Sequence, residues 1–353
     1  MTVGEDPASP GDRAATLREL GERGLIERVR RRFGVSSPGV LVGIGDDAAA
    51  VAWPGRTLLL TTDTLVEDVH FRRSTATLRD VGAKALAVNL SDIAAMGGEP
   101  RFALLALACP PTTPVADLDE FFAGFADMAG RHGVALIGGD TCAAPDRMVL
   151  TLTLVGEVAG APVRRAGARS GDAILVTGTL GAAAAGLAAL ERGPLQVPAD
   201  VSAAVCRAQR LPTPRVAEGR LLRASGFVTS MIDLSDGLAT DLAHIATESG
   251  VGAEVRLPAL PISDATREVA RVLGADPWAW AASGGEDYEL LCTAAPEHAE
   301  SLARRVTRET GTPVSLIGEI QPLGTGVRFV DEAKRIRAVR PGFDHFASAP
   351  WNA

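Results

Sequence analysis

The segment 78–96 constrains the fold more than any other part of the chain. Its run KALAVNLSDIAAMGG sets Leu86, Val88, Leu90, Ile93 and Met96 around a helix with almost no polar face, and Gly97-Gly98 stops it. Such a helix is buried on most sides, so other layers must wrap around it. Yet it carries charge. Lys84, Val88 and Asp92 fall on one stripe at four-residue spacing, and Asn89 sits one turn before Asp92. A buried ionised carboxylate is costly unless it is paired or binds a metal. An internal ion pair, with Lys84 already engaged by Asp80 at i,i+4, is one way to meet that cost; metal binding is the other and is preferred.

Around this helix the sequence alternates between short apolar strands and helices. Strands are expected at 40–44, 57–62, 102–109, 134–137 and 148–158, with one or two short helices over 16–32 and another over 115–131. Residues 160–172 lack periodicity and mark a boundary. Beyond them a second α/β unit is expected, with strands at 173–177, 227–232 and 288–293 and helices at 182–190, near 201–209 and at 238–248. The expected organisation is a loose tail at 1–15, an N-terminal domain at 16–160 and a C-terminal domain at 161–353. With 353 residues, two domains are the natural division.

Four strands end in turns that present aspartate: Gly45-Asp46-Asp47, Thr61-Thr62-Asp63, Gly138-Gly139-Asp140, and Asp233-Leu234-Ser235-Asp236-Gly237. Asp and Gly are what turns are made of, but ligands in α/β folds also gather where strands end. Four such turns and a helix Asp make an acidic cluster. Hard oxygen ligands without His or Cys select Mg²⁺ or a similar cation, which commonly brings phosphates with it. Without a cation, a phosphate in such a pocket meets ~4 kcal/mol for each like-charge contact at ~4 Å and an effective dielectric of roughly 20. Asp46 and Asp47 cannot both face one ion from a regular strand, so Gly45 turns the chain or only one of them is a ligand. Ser235 and Asp236 suit either the cap of the following helix or an anion site at its start.

Other chemistries find no support. There is no GxxxxGK[ST] loop, no kinase HRD…DFG set, no GxSxG and no DxDx[TV] motif. His132, His244 and His298 read as surface or helix-end residues, whereas His70 lies just past an Asp turn. The net charge of −8 and the single tyrosine, Tyr288, argue against nucleic-acid binding. No apolar stretch approaches the ~20 residues of a membrane span. Scattered cysteines and the lack of a signal-like N-terminus point to the cytoplasm.

Taken in order, GIGDDAA, TTDTLVEDVHF, KALAVNLSDIAAMGGEP, IGGDT, IDLSDGL, SGGEDYELL and the closing GFDHF resemble the thiamine-monophosphate kinase family. Individual pieces are shared with the wider superfamily of aminoimidazole-ribonucleotide synthetase and selenophosphate synthetase. The resemblance implies an α/β chain of α+β type, with two aminoimidazole-ribonucleotide synthetase-like domains of mixed sheets flanked by helices. It implies pairing of N-terminal domains in a homodimer and Mg²⁺-dependent transfer of phosphate from ATP to thiamine monophosphate, with several Mg²⁺ ions. By motif, Asp47, Thr61, Thr62, Asp63, Asp92, Asp140, Asp233 and Asp236 match metal ligands. Gly139, Asp140, Arg165 and Ser235 match ATP contacts, although Arg164 competes with Arg165. His70, Glu286 and Phe343 match positions that meet thiamine phosphate; Phe343 stands where some relatives have tyrosine. Direct in-line transfer is expected, with no general base, because a phosphate acceptor with a second pKa of ~6 is already ionised. The alternatives are phosphorylation of another small molecule and a non-catalytic Mg-nucleotide sensor.

Overall fold

Strands with alternating apolar residues and one fully apolar helix build the first half of the chain. The computed structural model describes residues 17–33 and 39–346, and the expected tail at 1–15 lies outside the described residues. The order is α1 (Leu17–Phe33), β1 (Val40–Val42), β2 (Ala49–Trp53), β3 (Arg56–Val66), α2 (Leu78–Ala95), β4 (Glu99–Cys109), α3 (Val115–His132), β5 (Ala135–Ala143) and β6 (Val149–Val158). These strands form one sheet in the order β1-β2-β3-β6-β4-β5, antiparallel except for the β4–β5 pair. On β6, Leu150, Leu152 and Leu154 are buried on the inner face, while Thr151 and Thr153 bond Thr64 and Thr62 on the outer face.

Helix α2 covers the inner face, and its capping box ties Thr77 to Asp80. Asp80 is thus occupied at the cap and does not pair with Lys84. Two helices cross α2 at glycines. A Cβ on Gly124 of α3 would lie 1.9 Å from the Arg79 carbonyl oxygen, and one on Gly219 would lie 2.1 Å from that of Ala94. Backbones approach this closely only where side chains are absent.

The second half contains β7 (Ala173–Thr177), α4 (Ala182–Arg192), α5 (Ala199–Arg210), α6 (Val216–Ser225), β8 (Val228–Asp233), α7 (Leu238–Ser249) and β9 (Gly252–Arg256). Then come α8 (Asp264–Leu273), α9 (Pro277–Ser283), β10 (Leu290–Ala294), α10 (Pro296–Thr310), β11 (Val314–Gln321), β12 (Val327–Val330) and β13 (Ile336–Arg337). Its sheet runs β13-β12-β9-β11-β7-β10-β8, and β12–β9 is its parallel pair. Both halves are therefore mixed sheets flanked by helices. Gly219 of α6 packs on α2, so the apolar helix is enclosed from both halves.

Two expected turns are strand instead. β3 does not stop at Asp63 but runs to Val66, because β6 supplies partners out to Val149. The GGDT segment continues β5 to Ala143, paired with β4 through Leu105–Gly139 and Ala106–Asp140. A neighbouring strand with open hydrogen-bonding groups outweighs local turn preference.

Candidate active site

A cleft of about 1320 Å³ opens where α2 and β3 face the loops that follow β8 and α9. Asp47, Thr61, Thr62, Asp63, Asp92, Arg165, Asp233, Ser235 and Asp236 line it, with His70, Glu286 and Phe343. Strand periodicity aims Thr61 and Asp63 inward, toward Asp92 of α2, and Asp233 ends β8. Carboxylate oxygens of Asp47, Asp92 and Asp233 lie within 4.8 Å of one another. The Thr61 hydroxyl donates to Asp92 Oδ2.

Gly45, at φ +119°, turns the chain so that Asp46 and Asp47 take different tasks. Asp46 accepts from its neighbour's N–H at 3.0 Å and from Arg165 N–H at 3.3 Å. Asp47 Oδ1 accepts from Arg165 Nε at 3.1 Å and Nη2 at 2.6 Å. Its Oδ2 is buried and has no hydrogen-bond partner among the described residues. Arg164 is exposed and away from the cleft lining, so Arg165 is the arginine that the fold directs inward.

Burial makes these carboxylates hard to ionise together. It lifts Asp63 to about 6 and Asp233, with Asp47 nearby, to about 8. Asp92 is pushed well above the carboxylate range, first by burial and then by the charges of Asp63, Asp233 and Asp47. Asp47 also rises through burial, against the opposing pull of Arg165. A bound divalent cation reverses this preference. An unpartnered buried oxygen among hard oxygen donors fits such an ion, and Asp47, Thr61, Asp63, Asp92 and Asp233 are the groups that would hold it.

Asp236, a candidate from the sequence, gathers two residues that the sequence reading missed. Asp236, Asp241 and His244 bring ligand atoms within 4.8 Å of one another, and His244, in the middle of α7 and half-buried, lines the cleft and does not end a helix. Helix α7 is not capped by Ser235 or Asp236. Asp241 reaches back and accepts the N–H of Asp236 at 3.2 Å and of Gly237 at 3.0 Å. This leaves the Ser235 and Asp236 side chains to the cleft. The signal in the sequence was the i,i+3 spacing of Asp241 and His244, which places them on one helix face.

At the other end of the cleft, His70 Nδ1 accepts the Val66 N–H at 3.0 Å. Its ring lies 4.9 Å from that of His345, and Phe343 meets His345 edge-on at 4.6 Å. His345, inside the GFDHF segment, was not singled out in the sequence. Lys84 pairs with Glu286 at 2.6 Å, in place of the expected Asp80.

Gly139 and Asp140 lie elsewhere. Strand β5 is exposed along its whole length, and neither residue lines the cleft. The register carries Asp140 through Ala106 and Thr151 to Thr64, which puts it on the outer face of the sheet. Thr61, Asp63 and Asp92 are on the inner side, so one chain alone does not bring Asp140 to them. Thr62 borders the cleft, but its side chain turns to the outer face, where its hydroxyl bonds the Leu152 carbonyl and Thr153.

Two mixed sheets enclosing an acidic cleft define the class of AIR synthase related proteins. The model of that family's N-terminal domain matches residues 45–158, and that of its C-terminal domain matches 169–331. A thiamine-monophosphate kinase of Salmonella typhimurium is 40% identical over 336 residues, covering 93% of this chain and 99% of the relative. AaThiL, solved in complex with AMPPCP and TMP, superposes with a TM-score of 0.82 at 32% identity, covering 94% of this chain and 99% of the other. The thiamine-monophosphate kinase of Stenotrophomonas maltophilia gives 0.72 at 41% identity, covering 86% and 95%. The chain belongs to the thiamine-monophosphate kinase family.

Proposed function

We propose that this chain transfers the γ-phosphoryl group of ATP to the phosphate of thiamine monophosphate, giving thiamine diphosphate and ADP, with Mg²⁺ bound at the acidic cluster. The observation that carries this reading is the convergence of Asp47, Asp92 and Asp233, one oxygen of Asp47 being unpartnered, in a cleft that also holds His70, Glu286 and Phe343. A relative solved with AMPPCP and TMP supports the pair of substrates.

Asp47, Thr61, Asp63, Asp92 and Asp233 hold the cations, and Asp236 faces the same cleft with Asp241 and His244 behind it. Magnesium supplies neutralisation between two phosphate-bearing substrates that the carboxylates alone would repel. Arg165 and Ser235 orient the nucleotide, while His70, Glu286 and Phe343 orient the acceptor so that its phosphate oxygen attacks in line. That oxygen is ionised near neutral pH, so no side chain has to remove a proton. Among the described residues no helix is long and apolar enough to cross a membrane; we place the enzyme in the cytoplasm.

The active form is a homodimer joined through the N-terminal sheets. Phe102 and Leu104 leave the outer face apolar, 47% and 41% exposed, beside the uncovered strand β5. Asp140 and Thr62 share that face but stand three strands apart, ~14 Å in one chain. A second copy laid on this face would bring Asp140 toward the partner's Thr62, and only in such an assembly would Gly139 and Asp140 take up nucleotide and metal roles.

An ADP-release assay with thiamine monophosphate and other phosphorylated acceptors tests the reading. Turnover should require thiamine monophosphate and Mg²⁺. Asp92→Asn should lower kcat by ~100-fold or more with an unchanged circular dichroism spectrum. A variant with near-normal turnover removes Asp92 from the metal set, and equal turnover with unrelated acceptors removes the substrate assignment.

A further inference from the structure

Lys84 is one of two lysines in a chain whose other cationic side chains of this kind are arginine, and it is 4% exposed. It projects from α2 into the cleft lining. Its Nζ lies 2.6 Å from Glu286 Oε1 and donates to the Gln209 carbonyl oxygen at 3.2 Å. The Gln209 side-chain amide in turn donates to Glu286 Oε2. Both oxygens of Glu286 are therefore gripped, one from α2 and the other from α5.

The loop needs such a grip. Glu286 and Tyr288 adopt φ values of +56° and +49°, a region L-residues rarely occupy. Glu286 N–H donates to the Ser235 carbonyl at 2.7 Å and Tyr288 N–H to that of Leu234 at 2.9 Å. Backbone bonds tie this loop to the segment 233–237, and Lys84 and Gln209 tie its carboxylate to α2 and α5. Lys84 and Asp92 are eight residues apart on one helix, ~12 Å along its axis. One rigid element thus spaces the metal cluster from the Glu286 carboxylate. A compact ammonium can meet both Glu286 and the Gln209 carbonyl in this buried corner, whereas a guanidinium presents a wider planar fork.

We propose that Lys84 and Gln209 are positioning residues that hold the Glu286 carboxylate against the organic part of the acceptor, so that they govern acceptor affinity and not nucleotide affinity. The inference rests on the acceptor reading given above, in which Glu286 contacts the phosphorylated acceptor. Its test separates the two. The acceptor is first established with the unmutated enzyme, and KM is then measured for whichever acceptor turns over, so failure of thiamine monophosphate is read from that enzyme alone.

Lys84→Met and Gln209→Ala should each raise acceptor KM about tenfold or more. The KM for ATP should stay within about twofold, because the Lys84 and Gln209 side chains hold the Glu286 carboxylate and leave intact the backbone bonds that tie its loop to Leu234 and Ser235. Because both act through Glu286, the double variant Lys84→Met/Glu286→Gln should be no worse than Glu286→Gln alone. Lys84→Arg should recover less than half of the lost acceptor affinity. Equal rises in both KM values, or additive losses in the double variant, overturn the proposal. If Lys84→Met does not fold, Gln209→Ala and Gln209→Ala/Glu286→Gln decide it by the same comparison.

Discussion

At Asp47 two demands meet in one side chain. Arg165 satisfies Oδ1 through two donors, while Oδ2 stays buried without a partner among the described residues. Arg165 offsets part of the charge, and the spare oxygen is one that a closed ion pair would not leave, as the proposed cation site requires. His70 shows the opposite response to burial. It is pushed down to about 4, chiefly by desolvation and next by His345, against a small opposing pull from Glu286. Because its folded value lies below the 6.5 of an unperturbed histidine, its contribution to stability is complete above pH ~6.5 and is lost as pH falls toward 4. Urea unfolding of the wild type should therefore lose more free energy between pH 6.5 and pH 4 than that of His70→Gln. Identical losses in the two proteins would show that His70 is not held neutral by the fold.

Helix α2 is the element on which the site depends. Its apolar surface is enclosed by the N-terminal sheet, α3 and α6, which fixes the axis along which Lys84 and Asp92 are spaced. Gly219→Ala should cost about 1–3 kcal/mol, because a Cβ at 2.1 Å from the Ala94 carbonyl forces two helices apart. Denaturant titration measures the loss, and kcat should fall with it since Asp92 rides on the displaced helix. Stability within about 0.5 kcal/mol of wild type would mean that the crossing relaxes freely. The helix was legible from its composition alone. Strand ends were not: β3 and β5 pass through Asp63 and Asp140, because pairing with β6 and β4 continues beyond the local turn signals.

The whole molecule keeps the acidic cleft and Asp140 on opposite sides of one sheet. Asp92 and its neighbours look into the cleft, and Asp140 looks outward on the face that also carries Phe102, Leu104 and, three strands away, Thr62. The proposed dimer gives the outer set its purpose. Leu104→Glu should yield a monomer in sedimentation equilibrium and lose most of its turnover, although Leu104 does not line the cleft. A monomeric wild type, or a fully active monomeric variant, would end the dimer proposal.

The sequence by itself determined that a fully apolar helix carrying Asp92 must be buried, and that its carboxylate needs a compensating partner, an ion pair or a cation. Those are local facts: helical periodicity and the cost of burying charge are written in neighbouring residues. Only the tertiary structure decided that Lys84 meets Glu286 and not Asp80, that Asp241 and not Ser235 accepts the N–H groups leading into α7, and that Asp140 faces away from the other aspartates. The first depends on a segment distant in the chain, the second on how the turn before α7 is folded, and the third on strand register, where a shift of one residue exchanges the two faces of a sheet.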